Sequence, residues 1–221
     1  MNLTLCMVLT LLVAYLLGSV SGSLLLGRRI GVDIRHQGSG NAGGTNAFRT
    51  QGWRFALGVV LIDIGKGALA TGFTVWVQTR WGGGLASGSY WVWWAVLCAA
   101  AGHTWPVFHG FRGGKGVGTM VGGLGVVWPM SLLPCLLVWL LTLTTTGYVG
   151  LASVLATLVL VPMAWFWGDA PVWFALSAAA FIVFTHRLNL HRLVAGREHR
   201  FPRARIWRRG WLYLRGLDPN A

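Results

Sequence analysis

RFALGVVLIDIGKGALATGFTVWVQT, residues Arg54 to Thr79, is apolar for long enough to cross a bilayer, yet it carries Asp63 and Lys66 near its middle. A helix needs roughly 20 apolar residues to traverse a hydrocarbon core of about 30 Å, and this stretch meets that length. Asp63 and Lys66 stand three residues apart, so a helix puts them on one face where they can pair. Charge inside a span is costly and is retained where it is paired or functional. Two readings are open: a buried ion pair that locks helix packing, and direct contact with a substrate. Both can hold at once.

Further apolar runs lie near residues 2–26, 90–108, 117–132, 133–146, 148–167 and 171–185, which makes seven with 54–79. The composition agrees: 55% of residues are hydrophobic, 10% are charged, and mean hydropathy is +0.60, which excludes an ordinary soluble domain. The first run is too long for a signal-peptide core and lacks a basic leader, so it is expected to stay as a helix. The expected fold class is an all-α integral membrane protein, a seven-transmembrane-helix bundle forming one polytopic domain over 1–221. Cys6, Cys98 and Cys135 all fall in apolar runs without CxxC spacing and read as packing residues, with no disulfide or metal site.

Lys and Arg accumulate in short cytoplasmic loops, and here they gather on one side. Arg28, Arg29, Arg35, Arg49 and Arg54 surround the first loop, Arg112 and Lys115 lie in the third, and nine Arg populate the chain from Arg187 to Arg215. Only Arg80 marks the other face. The N-terminus is therefore expected outside and the C-terminus in the cytoplasm, with 186–221 a basic cytoplasmic tail. Topology and anionic lipid headgroups account for the net charge of +13, so no nucleic-acid partner is expected. Within the tail, RARIWRRGWLYLR interleaves Trp with Arg in the manner of a membrane-surface anchor.

Three polar clusters fall on the expected cytoplasmic face. The first, Val32 to Gly52, crowds Gly38, Ser39, Gly40, Asn41, Gly43, Gly44, Thr45 and Asn46 ahead of Arg49. A plain connection needs only a few turn residues. It reads either as a Gly-rich turn whose Asn and Ser cap the next helix, or as an anion cradle near a helix N-terminus. The second, Ala101 to Thr119, contains His103, Pro106 and GFRGGKGVGT. It is not a nucleotide-binding P-loop, because His109 stands where that pattern needs Gly and Gly116 follows Lys115. Even so, glycines such as Gly113, Gly114 and Gly116 let backbone N–H groups converge on an anion while Lys115 supplies charge. The third, Thr185 to Glu198, spaces His186, Asn189, Arg192 and Leu193 along one side of a helix leaving the membrane.

These stretches together resemble the signature motifs of the PlsY-type acyl-phosphate:glycerol-3-phosphate acyltransferases, which are bacterial membrane enzymes. The matching residues are Asp33 to Arg35, Gly38 to Asn41, Thr45, Asn46 and Arg49; Asp63, Lys66 and Gly67; Gly102, His103, Pro106, Phe111 and Gly113 to Val117; and His186, Asn189, Arg192, Leu193, Gly196 and Glu198. The resemblance runs from about Leu16 to Glu198. Two departures stand out: Ser21 replaces a usual Pro, which should alter a helix bend, and Gly150 replaces a usual Ser while Ser153 is kept.

The resemblance implies a glycerol-3-phosphate 1-O-acyltransferase of the bacterial inner membrane. It would use acyl phosphate as donor, release lysophosphatidic acid and inorganic phosphate, and need no cofactor. It also implies catalytic roles for Ser39, Arg49, Lys115, His186 and Asn189. Substrate contacts would come from Gly38, Gly40, Asn41, Thr45, Asn46, Asp63, Lys66, His103, Gly113, Gly114, Gly116, Arg192 and Glu198. The implied partners are glycerol 3-phosphate, acyl phosphate, membrane lipid and an acyl-phosphate-forming enzyme. No His carries an Asp five residues on, the pairing used by acyltransferases with thioester donors. The rival class is a transporter for a phosphorylated metabolite, which predicts polar residues on both faces and two related halves. This chain has bland outer loops and no internal repeat.

Overall fold

The computed structural model describes residues 3–81 and 90–201, and every regular element among them is helical. They form two compact units, Met1–Pro129 and Met130–Ala221. The tail from residue 202 onward, including the Trp and Arg interleaving, lies outside the described residues.

The first unit holds α1 (Leu3–Gly18), α2 (Gly22–Arg29), α3 (Gly44–Trp81), α4 (Trp91–Thr104) and α5 (Val117–Val127). The stretch Arg54–Thr79 lies within α3, which packs against all four of the others. In a membrane no hydrophobic gain drives helices together, so small residues that let backbones touch do so instead. A Cβ on Gly67 would overlap the Thr119 carbonyl, and one on Gly122 would overlap that of Ile64, so α3 and α5 meet backbone to backbone. Gly18 against Ala99 and Gly102 against Tyr15 do the same for α1 and α4. Ala14, Ala70, Ala95 and Ala99, all fully buried, fill the space between.

The run read as one span over 2–26 is two helices, bent by 43° at a break between Gly18 and Gly22. Ser19 Oγ donates back to the Tyr15 carbonyl at 2.9 Å, which favours bending. The break exposes backbone groups that hydrocarbon cannot satisfy, and the α3 ion pair satisfies them. Lys66 Nζ donates to the Val20 carbonyl at 2.6 Å, and Gly22 N–H donates to Asp63 Oδ1 at 3.3 Å. A second break, at Gly52 (φ 83°, ψ 179°), separates the start of α3 from the span proper. The run 117–132 is interrupted after Val127, because Pro129 biases Trp128 away from helical backbone, and Pro129–Ser131 resumes as a short helical turn that leads into the next helix.

The second unit contains α6 (Leu132–Thr146), α7 (Val149–Leu158), α8 (Leu160–Trp167), α9 (Val172–Thr185) and α10 (Arg187–Val194). α7 packs on α6 and α9, while α10 rests on α7 and α9 after a 59° bend at His186. Phe174, Ala175, Ala178 and Ile182 are fully buried, whereas Leu133, Leu137 and Leu141 of α6 point outward, as lipid-facing residues do. Among the described residues, Gly44–Trp81, Pro129–Thr146 and Val149–Trp167 are long and apolar enough to cross a membrane. The number rises to five if each bent pair, α1 with α2 and α9 with α10, is one span. α4 and α5, with 14 and 11 residues, reach only about 21 and 17 Å at 1.5 Å per residue. The chain is thus an all-helical integral membrane protein, with fewer full-length helices than the seven apolar runs suggest.

Candidate active site

The first loop has its own apolar floor, where Ile34, Ala47, Ala56 and Val59 cluster beneath it. Asn46, fully buried, organises the loop above. Its Oδ1 accepts the Ser39 N–H at 2.9 Å, and its Nδ2 donates to the Ile34 and Gln37 carbonyls at 2.9 and 3.0 Å. Both ends of the amide are engaged, so Asn46 shapes the loop. Gly38 and Gly40 take left-handed backbone (φ 56° and 72°), and a Cβ on Gly38 would overlap Asn46 Oδ1. Ser39 is held exposed by this arrangement. Asn41, Thr45 and Arg49 are half-buried around it, the last two on the opening turns of α3.

The GGKG loop joins this first loop through one backbone hydrogen bond, Ala42 N–H to the Gly113 carbonyl at 3.4 Å. Its glycines are not equivalent. Gly113 and Gly114 donate their N–H groups to the α4 carbonyls of Thr104 and His103, both at 3.1 Å. Backbone donors suited to an anion lie farther along instead, where Gly116 (φ 86°) caps α5 and the first turn offers N–H groups that no intrahelical carbonyl reaches. Lys115, half-buried, immediately precedes that cap. The surroundings are electropositive: burial pushes His109 below its ordinary value, and the positive Arg28 and Arg35 push it further.

Asp63, Lys66 and His103 form one buried group, each no more than 5% exposed. Lys66 Nζ has three protons to give and meets three acceptors: the Val20 carbonyl at 2.6 Å, His103 Nδ1 at 2.8 Å and Asp63 Oδ1 at 3.1 Å. That assignment makes His103 Nδ1 an acceptor and puts the ring proton on Nε2. The 3.4 Å approach of His103 Nδ1 to Asp63 is then a proximity rather than a hydrogen bond. Nε2 occupies the place where a side chain on Gly114 would begin. Gly114→Ala should therefore displace either the ring or the loop and reduce turnover by about 100-fold, although it removes no charge. Kinetics on the purified variant check this, and a fully active enzyme would show the loop to be no more than a turn.

The second unit brings together the other four predicted residues. His186, buried at the bend between α9 and α10, donates from Nδ1 to the Ile182 carbonyl at 2.9 Å, so Nε2 is left as an acceptor. Asn189 Nδ2 donates to Glu198 Oε1 at 2.6 Å, and Arg192 Nε donates to Glu198 Oε2 at 2.8 Å. Glu198, with its side chain 6% exposed, thus orients both. Gly150 faces this group, and a Cβ there would lie 3.0 Å from Asn189 Cβ. The missing hydroxyl is thereby located beside Asn189. Asp33, paired with Arg35, is the feature that sequence reading left out of the site.

Buried intramembrane charge and two donor-rich loops tied to each other form a site with the chemistry to hold anionic ligands. Residues 8–196 match the family model described as glycerol-3-phosphate acyltransferase. The glycerol-3-phosphate acyltransferase of Clostridioides difficile is 40% identical over 85% of this chain and 92% of its own. That of Halalkalibacterium halodurans is 38% identical over 86% and 93%. The crystal structure of PlsY (YgiH), an integral membrane glycerol 3-phosphate acyltransferase, in its glycerol 3-phosphate form, superposes with a TM-score of 0.80 at 35% identity, over 88% of this chain and 95% of that one. Its lysophosphatidic acid form gives 0.78 at 34% identity. The chain belongs to the glycerol-3-phosphate acyltransferase family.

Proposed function

We propose that the enzyme transfers a fatty acyl group from acyl phosphate to the 1-hydroxyl of glycerol 3-phosphate, giving lysophosphatidic acid and inorganic phosphate. The hydrogen bond from Ala42 to Gly113 carries this reading, because it joins two loops rich in donors and cations, as two phosphorylated reactants held side by side require. Both superposed relatives carry a matching ligand, one the acceptor and the other the product. Lys115 and the first turn of α5 grip one phosphate, and Arg49 with the Ser39 loop serves the other. Within the second unit, Asn189 and Arg192, both oriented by Glu198, are further candidates for contact with substrate, as is His186. Cations aimed at the leaving phosphate stabilise charge as it develops.

Acyl phosphate is an activated mixed anhydride, so positioning supplies much of the rate. The attacking hydroxyl gives its proton to the donor's own phosphate, which titrates near pH 6. Asp63 and His186 are the protein-borne alternatives; Asp63 already accepts from Lys66 and Gly22, and His186 Nδ1 donates to the Ile182 carbonyl. A covalent route would need an activated nucleophile with a base in reach, and Ser39 has only Gly and Asn beside it. Transfer is therefore direct. The enzyme works in the bacterial inner membrane, with its N-terminus outside and C-terminus cytoplasmic. Seven crossings follow if each bent pair is one span and the shorter helices α4 and α5 also cross. An acyl-phosphate-forming enzyme supplies the donor.

Detergent-purified protein offered glycerol 3-phosphate with acyl phosphate, acyl-CoA or acyl-carrier protein in turn should form product with acyl phosphate, under sequential kinetics. Product from acyl-CoA alone would overturn the donor. Parallel double-reciprocal lines, or an acylated Ser39 peptide, would overturn direct transfer.

A further inference from the structure

Asp33 and Arg35 take no part in the chemistry above, yet they are densely bonded. Asp33 caps the turn Ile34–His36 by accepting the Arg35 N–H at 3.0 Å. Arg35 Nε then donates to both carboxylate oxygens, at 3.0 and 3.1 Å, and Nη2 donates to Oδ2 at 2.7 Å. The remaining arm, Nη1, crosses to the third loop and donates to the carbonyls of His109 and Arg112, at 2.9 and 3.2 Å. A guanidinium has five N–H groups in a fixed fork, and this one directs four of them to a carboxylate and two carbonyls, which leaves little with which to bind a substrate phosphate. The carboxyl of Asp33 is held at about 2, first by its hydrogen bond from Arg35, so the pair stays ionised at any working pH.

The two carbonyls that Arg35 takes flank Gly110 and Phe111, and both of those residues are left-handed, with φ 63° and 58°. Glycine adopts that backbone without penalty; phenylalanine does not. Phe111 is the only described residue other than glycine with positive φ. Such strain persists where surrounding bonds over-determine it, and the two bonds to Arg35 are bonds of that kind. The strained turn runs directly into Gly113 and Gly114, pinned on α4, and then into Lys115.

We infer that Arg35, oriented by Asp33, is a positioning residue that clamps the 109–112 turn in its strained form and so fixes where Lys115 stands. The inference rests on Lys115 being a phosphate grip. It demands a fork: a lone cation at position 35 can hold neither the carboxylate bidentately nor both carbonyls.

The test uses full-length enzyme in detergent, with kcat and KM measured for each substrate. Arg35→Lys should lose about tenfold or more in kcat, close to the loss in Arg35→Ala. Added guanidinium ion should restore part of the Arg35→Ala activity, and methylammonium should not. Phe111→Gly placed on Arg35→Lys should recover several-fold, because glycine holds the left-handed turn without the clamp. Wild-type kcat in Arg35→Lys would reduce Arg35 to a generic charge and sink the clamp. So would a Phe111→Gly suppressor that recovers nothing. If the Lys115 reading is the one at fault, Lys115→Ala keeps its activity; if only the clamp is wrong, Lys115→Ala is inactive while Arg35→Lys is not.

Discussion

Lys115→Ala should yield a protein that inserts and purifies normally but loses about 100-fold or more in kcat/KM. Lys115 stands immediately before the Gly116 cap of α5, where, in the proposed function, its charge and the first-turn N–H groups would act on the same anion. A hydrogen bond to a charged group is about twice as strong as one between neutral partners, and alanine keeps the backbone part while deleting the charged part. Arg49→Ala should behave in the same way from the first loop. Steady-state kinetics on folded, monodisperse enzyme decide it. Near-normal constants in both variants would place the site elsewhere.

The largest loss of stability is expected from breaking the buried group around Lys66. Removing one partner of a buried pair leaves an uncompensated charge, at about 3–5 kcal/mol, whereas replacing both with apolar residues is often neutral. Lys66→Met should therefore lower the thermal transition in detergent sharply, and the double variant Asp63→Leu/Lys66→Met should recover much of that loss. The single variant also strips the Val20 carbonyl and His103 Nδ1 of their donor, so the α1–α2 break and the GGKG loop should loosen together. A Lys66→Met enzyme with an unchanged transition and only a raised KM would instead make Lys66 a substrate contact.

Much of the fold was legible because hydropathy and length are themselves the physics of crossing a bilayer, and a helix occupies part or all of each apolar run. The breaks were harder to see. In the apolar run 2–26 hydropathy gives no sign of the break at Ser19 to Ser21; only the family's usual Pro at position 21 hints at a bend, and the groups that make the break tolerable, Asp63 and Lys66, belong to another helix. Pro129 did carry a local signal, and it marks where the run 117–132 is interrupted. In the candidate site, residue types drew attention to two loops that the structure ties together, but not to the bonds within them. Gly113 and Gly114 look like cradle glycines from sequence, yet their N–H groups face α4. Arg35 finds its acceptors on carbonyls 74 and 77 residues away, and a carbonyl has no letter in the sequence.

The backbone contacts at Gly18, Gly67, Gly102 and Gly122 also bear on how such a chain can evolve. Leu61 and Leu69, each more than 60% exposed, face outward from α3 and can exchange among apolar residues with little consequence. The glycine seams allow no such traffic, since the first added methyl group meets a carbonyl oxygen of the neighbouring helix. A lineage can thus rewrite the lipid-facing skin of the first unit many times over while the spacing of its helices stays fixed. The seams leave variety free to accumulate on the outside while they hold the separation between α3 and α5, beside which Lys115 stands.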